Sequence, residues 1–215
     1  MPLFQKINDA DSKVWGGIWN VTESEDELCG LLPETFPYKS EADCLTLKKR
    51  RMEFLAVRAL VNVLMPDAPR IVYRPTGKPY FENDVCRLSI SHTANYVAVL
   101  FSRVAEVGID IETVSNRVMK LRQRIVSSRE KADTLYETLL HWSAKETAFK
   151  ILDTAGLDFC RNFCVKELVC VATAEHPESE GTFTMCIQTD KLRESELKVH
   201  FQTTSDYVLT YAALI

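Results

Sequence analysis

The sequence predicts an α+β protein, and three observations carry that expectation. Residues 42–65 and 139–152 repeat apolar side chains at three- and four-residue steps, the period of a helix with one buried face. Short runs between and after them alternate apolar and polar residues, the period of a half-buried strand. Each half of the chain thus supplies one major helix and several strands in a similar order, with no low-complexity linker, which hints at a duplicated unit.

A first apolar segment at 14–21 leads into an acidic, proline-containing stretch at 23–37 that reads as short elements and loop. Helix 42–65 follows, with Leu45, Met52, Leu55, Ala59, Leu60, Val63 and Leu64 as its apolar stripe and with Pro66 and Pro69 as its stop. Arg51 and Arg58 lie seven apart and share another face of it. Strands are expected at 71–73, 88–90, 96–101 and 104–112, punctuated by Pro75-Thr76-Gly77-Lys78-Pro79 and by Ser91-His92-Thr93. Residues 117–125 read as helical, and Ser127-x-x-Glu130 has the spacing of a capping box opening a further helix towards Tyr136. Helix 139–152 ends before Gly156, and 183–187, 197–202 and 207–212 alternate as strands.

Length and composition bound the function. A chain of 215 residues with 46% hydrophobic content buries the core of one sizeable domain or two small lobes. Lys plus Arg total 26 against 30 Asp plus Glu, so the basic excess of a general nucleic-acid binder is missing and no nucleic-acid partner is expected. Neither a signal-peptide pattern nor an apolar run of spanning length is present, so the expectation is a soluble, cytoplasmic protein with no membrane partner. The seven cysteines include no C-x-x-C pair, and their odd number suits reduced thiols, read here as packing residues. Cys160 and Cys164 are spaced to face each other across one helical turn, but no histidine lies near them to complete a zinc site.

The chemistry concentrates in Val107-Gly108-Ile109-Asp110-Ile111-Glu112. On a strand, Val107, Ile109 and Ile111 point to the core while Asp110 and Glu112 emerge together on the other face, with Gly108 leaving open space beside them. Two carboxylates held so close repel unless a proton or cation intervenes, and oxygen-only ligation suits Mg²⁺. By itself the pair also suits an edge strand with a solvated outer face. Further along, Trp142, Glu146 and Lys150 follow one another at four-residue steps on one helix face, while Leu140, Ala144, Ala148 and Ile151 form an apolar stripe. Lys78, His92 and Arg58 complete a set of groups suited to metal-assisted attack on a phosphoanhydride.

Taken jointly, Thr76-Gly77-Lys78-Pro79-Tyr80-Phe81, Leu88-Ser89-Ile90-Ser91-His92-Thr93, Val107-Gly108-Ile109-Asp110-Ile111-Glu112 and Trp142-Ser143-Ala144-Lys145-Glu146 resemble the 4'-phosphopantetheinyl transferase superfamily. Within it they resemble the longer, two-lobed monomeric branch of the surfactin-synthetase-activating type. The resemblance is close over about 51–150 and holds only in pattern on the flanks. It implies two pseudo-twofold-related lobes, 1–103 and 104–215, each a major helix packed on an antiparallel sheet, with the active site between them. It also implies transfer of the phosphopantetheine arm of coenzyme A to a serine of an apo carrier protein (acyl, peptidyl or aryl), leaving 3',5'-ADP.

By the same resemblance, Asp110, Glu112 and Glu146 hold Mg²⁺, and Glu146 also serves as the base. Lys150 neutralises the leaving group, and Arg58, Lys78, Ser91 and His92 bind the nucleotide end of coenzyme A. Relatives carry several basic residues just before the first long helix to grip the 3'-phosphate. There this chain has Glu34, Glu41 and Asp43, with Lys39 the only cation, which leaves open a relaxed preference for coenzyme A over its dephospho form. Arg117, Lys120, Arg122 and Arg124, within 117–129, are the candidate docking patch for the carrier. Two other classes stay open: a non-catalytic paralogue that binds coenzyme A or carrier protein, and a Mg²⁺-dependent phosphohydrolase.

Overall fold

A computed structural model describes residues 3–189 and 195–214, and the chain divides into two compact units, Met1–Val104 and Ala105–Ile215. Both are mixed α+β, as the periodicities predict.

The first unit runs β1 (Leu3–Asp9), β2 (Val14–Asn20), α1 (Glu25–Cys29), α2 (Tyr38–Asp43), α3 (Lys48–Leu64), β3 (Ile71–Tyr73), β4 (Pro79–Phe81), β5 (Arg87–Thr93) and β6 (Tyr96–Ser102). Its antiparallel sheet has the order β1-β2-β6-β5, and β3 and β4 form a separate hairpin. The apolar face of α3 (Leu55, Ala56, Ala59, Leu60) closes a core with Trp19, Leu88, Val97, Val99 and Phe101.

The expected helix 42–65 is in fact two helices. Leu47 turns extended (φ −89°, ψ 119°) as the cap of α3, which begins at Lys48. Arg51 holds this break open: its Nη1 donates to the carbonyls of Leu45 (3.0 Å) and Thr46 (3.3 Å), and its Nε donates to Glu25 Oε1 at 2.8 Å. Ala42 and Leu55 join the same core, so the apolar period crosses the break undisturbed. The strands β1 and β4 lay outside the sequence expectations.

The second unit runs β7 (Glu106–Thr113), a 3₁₀ turn (Asn116–Leu121), α4 (Arg122–Ile125), α5 (Leu135–Leu152), α6 (Phe159–Asn162), β8 (Phe163–Lys166), β9 (Ser179–Ile187), β10 (Ser195–Thr203) and β11 (Tyr207–Leu214). The antiparallel order is β7-β11-β10-β9-β8. Leu140, Ala144, Ala148 and Ile151 of α5 pack with Met185, Val199, Val208 and Ala212, as the predicted stripe requires.

No helix opens at Ser127. Glu130 Oε2 does accept from the Ser127 amide at 2.8 Å, half of the expected box, but the same carboxylate is drawn into a buried ion pair with Lys145. The helix starts instead at Thr134, where Thr134 Oγ1 accepts from the Glu137 amide and Glu137 Oε2 accepts from the Thr134 amide. Cys160 lies in α6 and Cys164 in β8, so the two do not share a helix. Cys44 is exposed, which removes it from the packing role.

Gly108 is the largest correction, because the space expected beside it is filled. Its position opposite Ala212 puts it on the α5 side of the sheet, and a Cβ there would lie 2.2 Å from Thr147 O and 2.9 Å from Ile151 Cγ1. Only a hydrogen in place of a side chain lets the helix backbone come this close.

Gly108→Ala is therefore expected to destabilise the protein by about 1–3 kcal/mol through forced separation of α5 from β7. Gly30→Ala is the control: that residue is right-handed (φ −67°), with nothing nearer its Cβ position than 3.5 Å, and should be near neutral. Denaturant unfolding of both variants checks this, and equal midpoints would refute the close-approach argument.

Candidate active site

The approach enforced by Gly108 brings α5 over the carboxylates of β7. Asp110 lies opposite Thr210 and Glu112 opposite Val208, so all four residues face the helix. A hydroxyl ladder fixes the helix rotation. Thr210 Oγ1 is shared by Ser143 Oγ at 2.9 Å and Thr147 Oγ1 at 2.7 Å, and Ser143 Oγ donates to the Asp110 carbonyl at 3.3 Å. Each hydroxyl is buried and satisfied, so the ladder specifies register as well as contact.

The predicted face of α5 then meets the predicted face of β7. Trp142 Nε1 donates to Glu112 Oε1 at 2.8 Å. Lys150 Nζ donates to Asp110 Oδ1 and to the Ile109 carbonyl, both at 2.8 Å. Glu146 lies between Trp142 and Lys150 on the same face. Asp110 is only 4% exposed, and Val107, Ile109 and Ile111 on the opposite side of the strand are buried too. The solvated-edge interpretation of this strand therefore fails.

Burial and mutual repulsion set the protonation of the cluster. Glu146 is pushed up to about 7, first by burial and then by the Asp110 charge, with Lys150 opposing and Glu112 adding. The Glu112 carboxyl is also raised, by burial first and by Asp110 next, against the Trp142 hydrogen bond and Lys150. Among the described residues, no group of three or more His, Cys, Asp or Glu side chains is arranged to hold a metal ion. The three carboxylates fit a hard divalent cation in donor chemistry and in their shared excess of negative charge. They do not form a ready coordination sphere, since Lys150 and Trp142 already bind two of them.

Lys145, one step from Glu146, turns the other way. It is fully buried, and its Nζ donates to Glu130 Oε2 and to the Ile125 carbonyl, both at 2.7 Å. Glu130 Oε1 accepts from the Val165 amide at 2.8 Å, so this one carboxylate ties α5 to β8 and to the loop after α4. Hydrogen bonds from Lys145 and from the Val165 and Ser127 amides hold the Glu130 carboxyl below the ordinary range although burial opposes them. Sequence reasoning treated Glu130 as a helix cap; its spacing gave no signal of a partner in α5.

The predicted nucleotide-contact residues occupy different surroundings in the first unit. Arg58 is 3% exposed, its guanidinium carbon 3.3 Å above the centre of the Phe54 ring and 5.0 Å from that of Tyr38, with Nη1 donating to the Phe54 carbonyl at 3.1 Å. Ser91 is buried on β5, and the next residue, His92, points to the other face and approaches Glu53 Oε1 at 3.4 Å. Lys78 sits on the β3–β4 turn, where Gly77 takes a positive φ of 91° that a residue with a side chain adopts only at a cost.

Sequence reasoning missed the cation cluster at the start of α3. Because the helix starts at Lys48, Lys48-Lys49-Arg50-Arg51 occupy its first turn, where the helix dipole disfavours positive charge. Glu53 compensates, receiving Arg50 Nη1 at 2.9 Å and Lys49 Nζ at 3.7 Å as well as His92. Lys48, Lys49, Met52, Glu53, Asn95 and Tyr96 line a cavity of about 310 Å³. The four-cation run was legible; placing it inside a continuous helix concealed its meaning, whereas residues 38–47 ahead of α3 do carry Lys39 as their one cation.

The second unit is thus a helix-on-sheet domain that sets three carboxylates and a lysine together at the α5–β7 contact. Comparison with known proteins specifies its class. Residues 106–212 match the family model ACPS, the 4'-phosphopantetheinyl transferase superfamily. Over 69 residues the chain is 38% identical to the 4'-phosphopantetheinyl transferase AcpT of Escherichia coli (strain K12), covering 32% of this chain and 35% of that one. The AcpT of Salmonella typhi is 36% identical over 69 residues, covering 32% and 36%. The match spans about a third of the length of these curated relatives. Together the findings support the 4'-phosphopantetheinyl transferase superfamily as the class of this chain.

Two predictions follow from the packing of α5. Lys145→Met leaves Glu130 buried without its cation and is expected to cost about 3–5 kcal/mol, whereas pairing it with Glu130→Met should recover most of the loss. Chemical denaturation of the two variants measures this, and additive losses would refute the pairing. His141 is also buried, with Nδ1 donating to the Glu137 carbonyl at 2.8 Å, and burial holds its imidazole below the ordinary 6.5. The unfolded chain then takes up that proton first, so stability is lost as pH falls below about 6.5. A His141→Gln variant should show a shallower decline of Tm with acid than the parent protein.

Proposed function

We propose that this protein is a 4'-phosphopantetheinyl transferase of the holo-[acyl-carrier-protein] synthase type, moving the phosphopantetheine arm of coenzyme A to a serine of an apo carrier protein and releasing 3',5'-ADP. The observation that carries this reading is the cluster of Asp110, Glu112, Glu146 and Lys150 at the α5–β7 contact, inside the segment that matches the superfamily. A long helix on an antiparallel sheet in each unit supports the longer, two-lobed branch; a cytoplasmic monomer is part of the same proposal.

Asp110, Glu112 and Glu146 are the proposed holders of Mg²⁺. When bound, the cation would supply charge neutralisation for the pyrophosphate and its leaving group. Glu146, raised to about 7 by burial and the Asp110 charge while no cation is bound, is the proposed acceptor of the serine proton; a cation held beside it would favour its ionised, proton-accepting form. Lys150 brings a cation on the same helix face, suited to the developing charge of the leaving group.

The nucleotide end of coenzyme A is assigned to Lys78, Ser91, His92 and Arg58, joined now by the start of α3. Lys48 and Lys49 line a cavity and are better exposed to an incoming phosphate than Arg58, which lies beneath Phe54. This favours a preference for coenzyme A over its dephospho form, opposite to the relaxed preference left open by the acidic residues ahead of the helix. Exposed Arg117, Lys120 and Arg124, beside exposed Met119 and Leu121, support the proposed docking of an acidic carrier; Arg122 is partly engaged by the Ala132 carbonyl.

Intact-mass spectrometry of an apo acyl carrier protein, incubated with this protein, coenzyme A and Mg²⁺, should reveal a gain of one phosphopantetheine arm that EDTA abolishes. Glu146→Gln should lower the rate by at least about a hundredfold while leaving the unfolding midpoint near that of the parent. Release of free phosphopantetheine without an acceptor would favour a hydrolase. Coenzyme A binding with no transfer to any carrier tried would favour a non-catalytic binder.

A further inference from the structure

Cys164 on β8 and Cys186 on β9 stand directly opposite each other in the antiparallel register, and both are free thiols. Directly opposed residues of an antiparallel pair have Cα atoms about 4.5–5.5 Å apart, inside the roughly 4.4–6.8 Å that a disulfide spans. Their Cβ atoms are about 4.5–5.5 Å apart in such a pair, so closing the bond requires an approach of up to about 1 Å. The strand can supply it. β8 has four residues and is the last strand of its sheet, with β9 as its one strand neighbour among the described residues, although the Val165 amide beside Cys164 is also held by Glu130 Oε1 at 2.8 Å.

The two cysteines share the sheet face opposite the core, since Phe163, Val165, Met185 and Ile187 take the inward positions between them. Their surroundings differ. Cys164 is half-buried and reachable by a small oxidant, while Cys186 is 7% exposed, and its Sγ donates to Glu196 Oε1 at 4.0 Å from the next strand. Burial pushes the Cys164 thiol up, with Glu130 and the neighbouring Cys186 adding to the shift while Arg129 and Lys145 oppose it, so only a small fraction of Cys164 is thiolate near neutral pH and its oxidation is slow.

We propose that Cys164 and Cys186 form an oxidative modification site that closes to a cross-strand disulfide when hydrogen peroxide reaches it. Cys164 Sγ, as the thiolate, attacks one peroxide oxygen; the O–O bond breaks, the first water leaves and a sulfenic acid remains. Cys186 Sγ then attacks that sulfur, the S–S bond forms and the S–O bond breaks, and the second water carries off the proton that Glu196 is placed to accept from Cys186. Two thiols and one peroxide yield one disulfide and two waters; the sulfurs lose two electrons and the peroxide gains them. Of the other five cysteines, Cys29, Cys44 and Cys86 belong to the first unit, while Cys160 and Cys170 lie on α6 and in the segment after β8.

The full-length protein is treated with hydrogen peroxide, alkylated with N-ethylmaleimide and digested without reduction. The expected result is a linked peptide joining Cys164 to Cys186, a loss of two alkylatable thiols, and recovery of both after a thiol reductant. Cys164→Ser and Cys186→Ser should each abolish the linked peptide. Peroxide that leaves both residues fully alkylated, carries Cys164 to sulfinic acid without a linked peptide, or crosslinks either residue elsewhere overturns the proposal. Mapping of the parent protein decides this even where a variant folds poorly, and the outcome is independent of whether the protein transfers phosphopantetheine.

Discussion

The contact between the α5 backbone and Gly108 is the constraint on which the second unit depends. A helix normally rests on a sheet at side-chain distance. Here the Thr147 carbonyl lies 2.2 Å from where a Cβ would be, and this brings the hydroxyls of Ser143 and Thr147 within reach of Thr210. The same proximity lets Trp142 and Lys150 reach Glu112 and Asp110 directly. A methyl group at position 108 would lift all of these contacts together, so one missing side chain governs packing, register and electrostatics at once.

Charge on α5 is handled in two opposite ways by neighbouring residues. Lys145 is sealed from solvent with Glu130, every ammonium bond going to a fixed acceptor, and such a pair supports structure only while both members remain. Lys150 is 27% exposed at its side chain and only partly offsets the negative charge of the cluster it faces; Glu146 is raised to about 7 by burial first and by the Asp110 charge next. A cluster left with unneutralised carboxylates in a half-buried setting has affinity for something positive. In the proposed reaction that affinity is the means of holding a cation next to a phosphoanhydride.

What the sequence revealed and what it hid divide along a physical line. Local periodicity gave the α5 stripe, the sharing of one β7 face by Asp110 and Glu112 and the alignment of Trp142, Glu146 and Lys150, because period and geometry are linked one to one in regular elements, but it assigned the α5 core to the opposite face of β7. It failed where a distant residue intervenes. Arg51 breaks a helix that the apolar period carries straight through, and Glu130 forsakes its capping role for a lysine that follows it in sequence by fifteen residues. Gly108 was read correctly as a position without a side chain but wrongly as open space, since the sequence does not say what fills the vacancy. Thr134 and Glu137 were equally legible as a cap; the competing Ser127-x-x-Glu130 pattern drew attention first.

The run Lys48-Lys49-Arg50-Arg51 is the least economical feature of the first unit from the standpoint of folding alone. Four cations repel one another and face the positive end of the α3 dipole, while Glu53 is committed to Lys49, Arg50 and His92 together. Helix stability would be served better by acidic residues in that turn, as in α1, where Glu25, Asp26 and Glu27 occupy it. A chain that places acids at one helix start and cations at another leaves the second start with the charge and the amide donors that suit an anion. The lysine-lined cavity beside that turn gives the anion somewhere to sit, and the proposed co-substrate carries its excess phosphate at the nucleotide end.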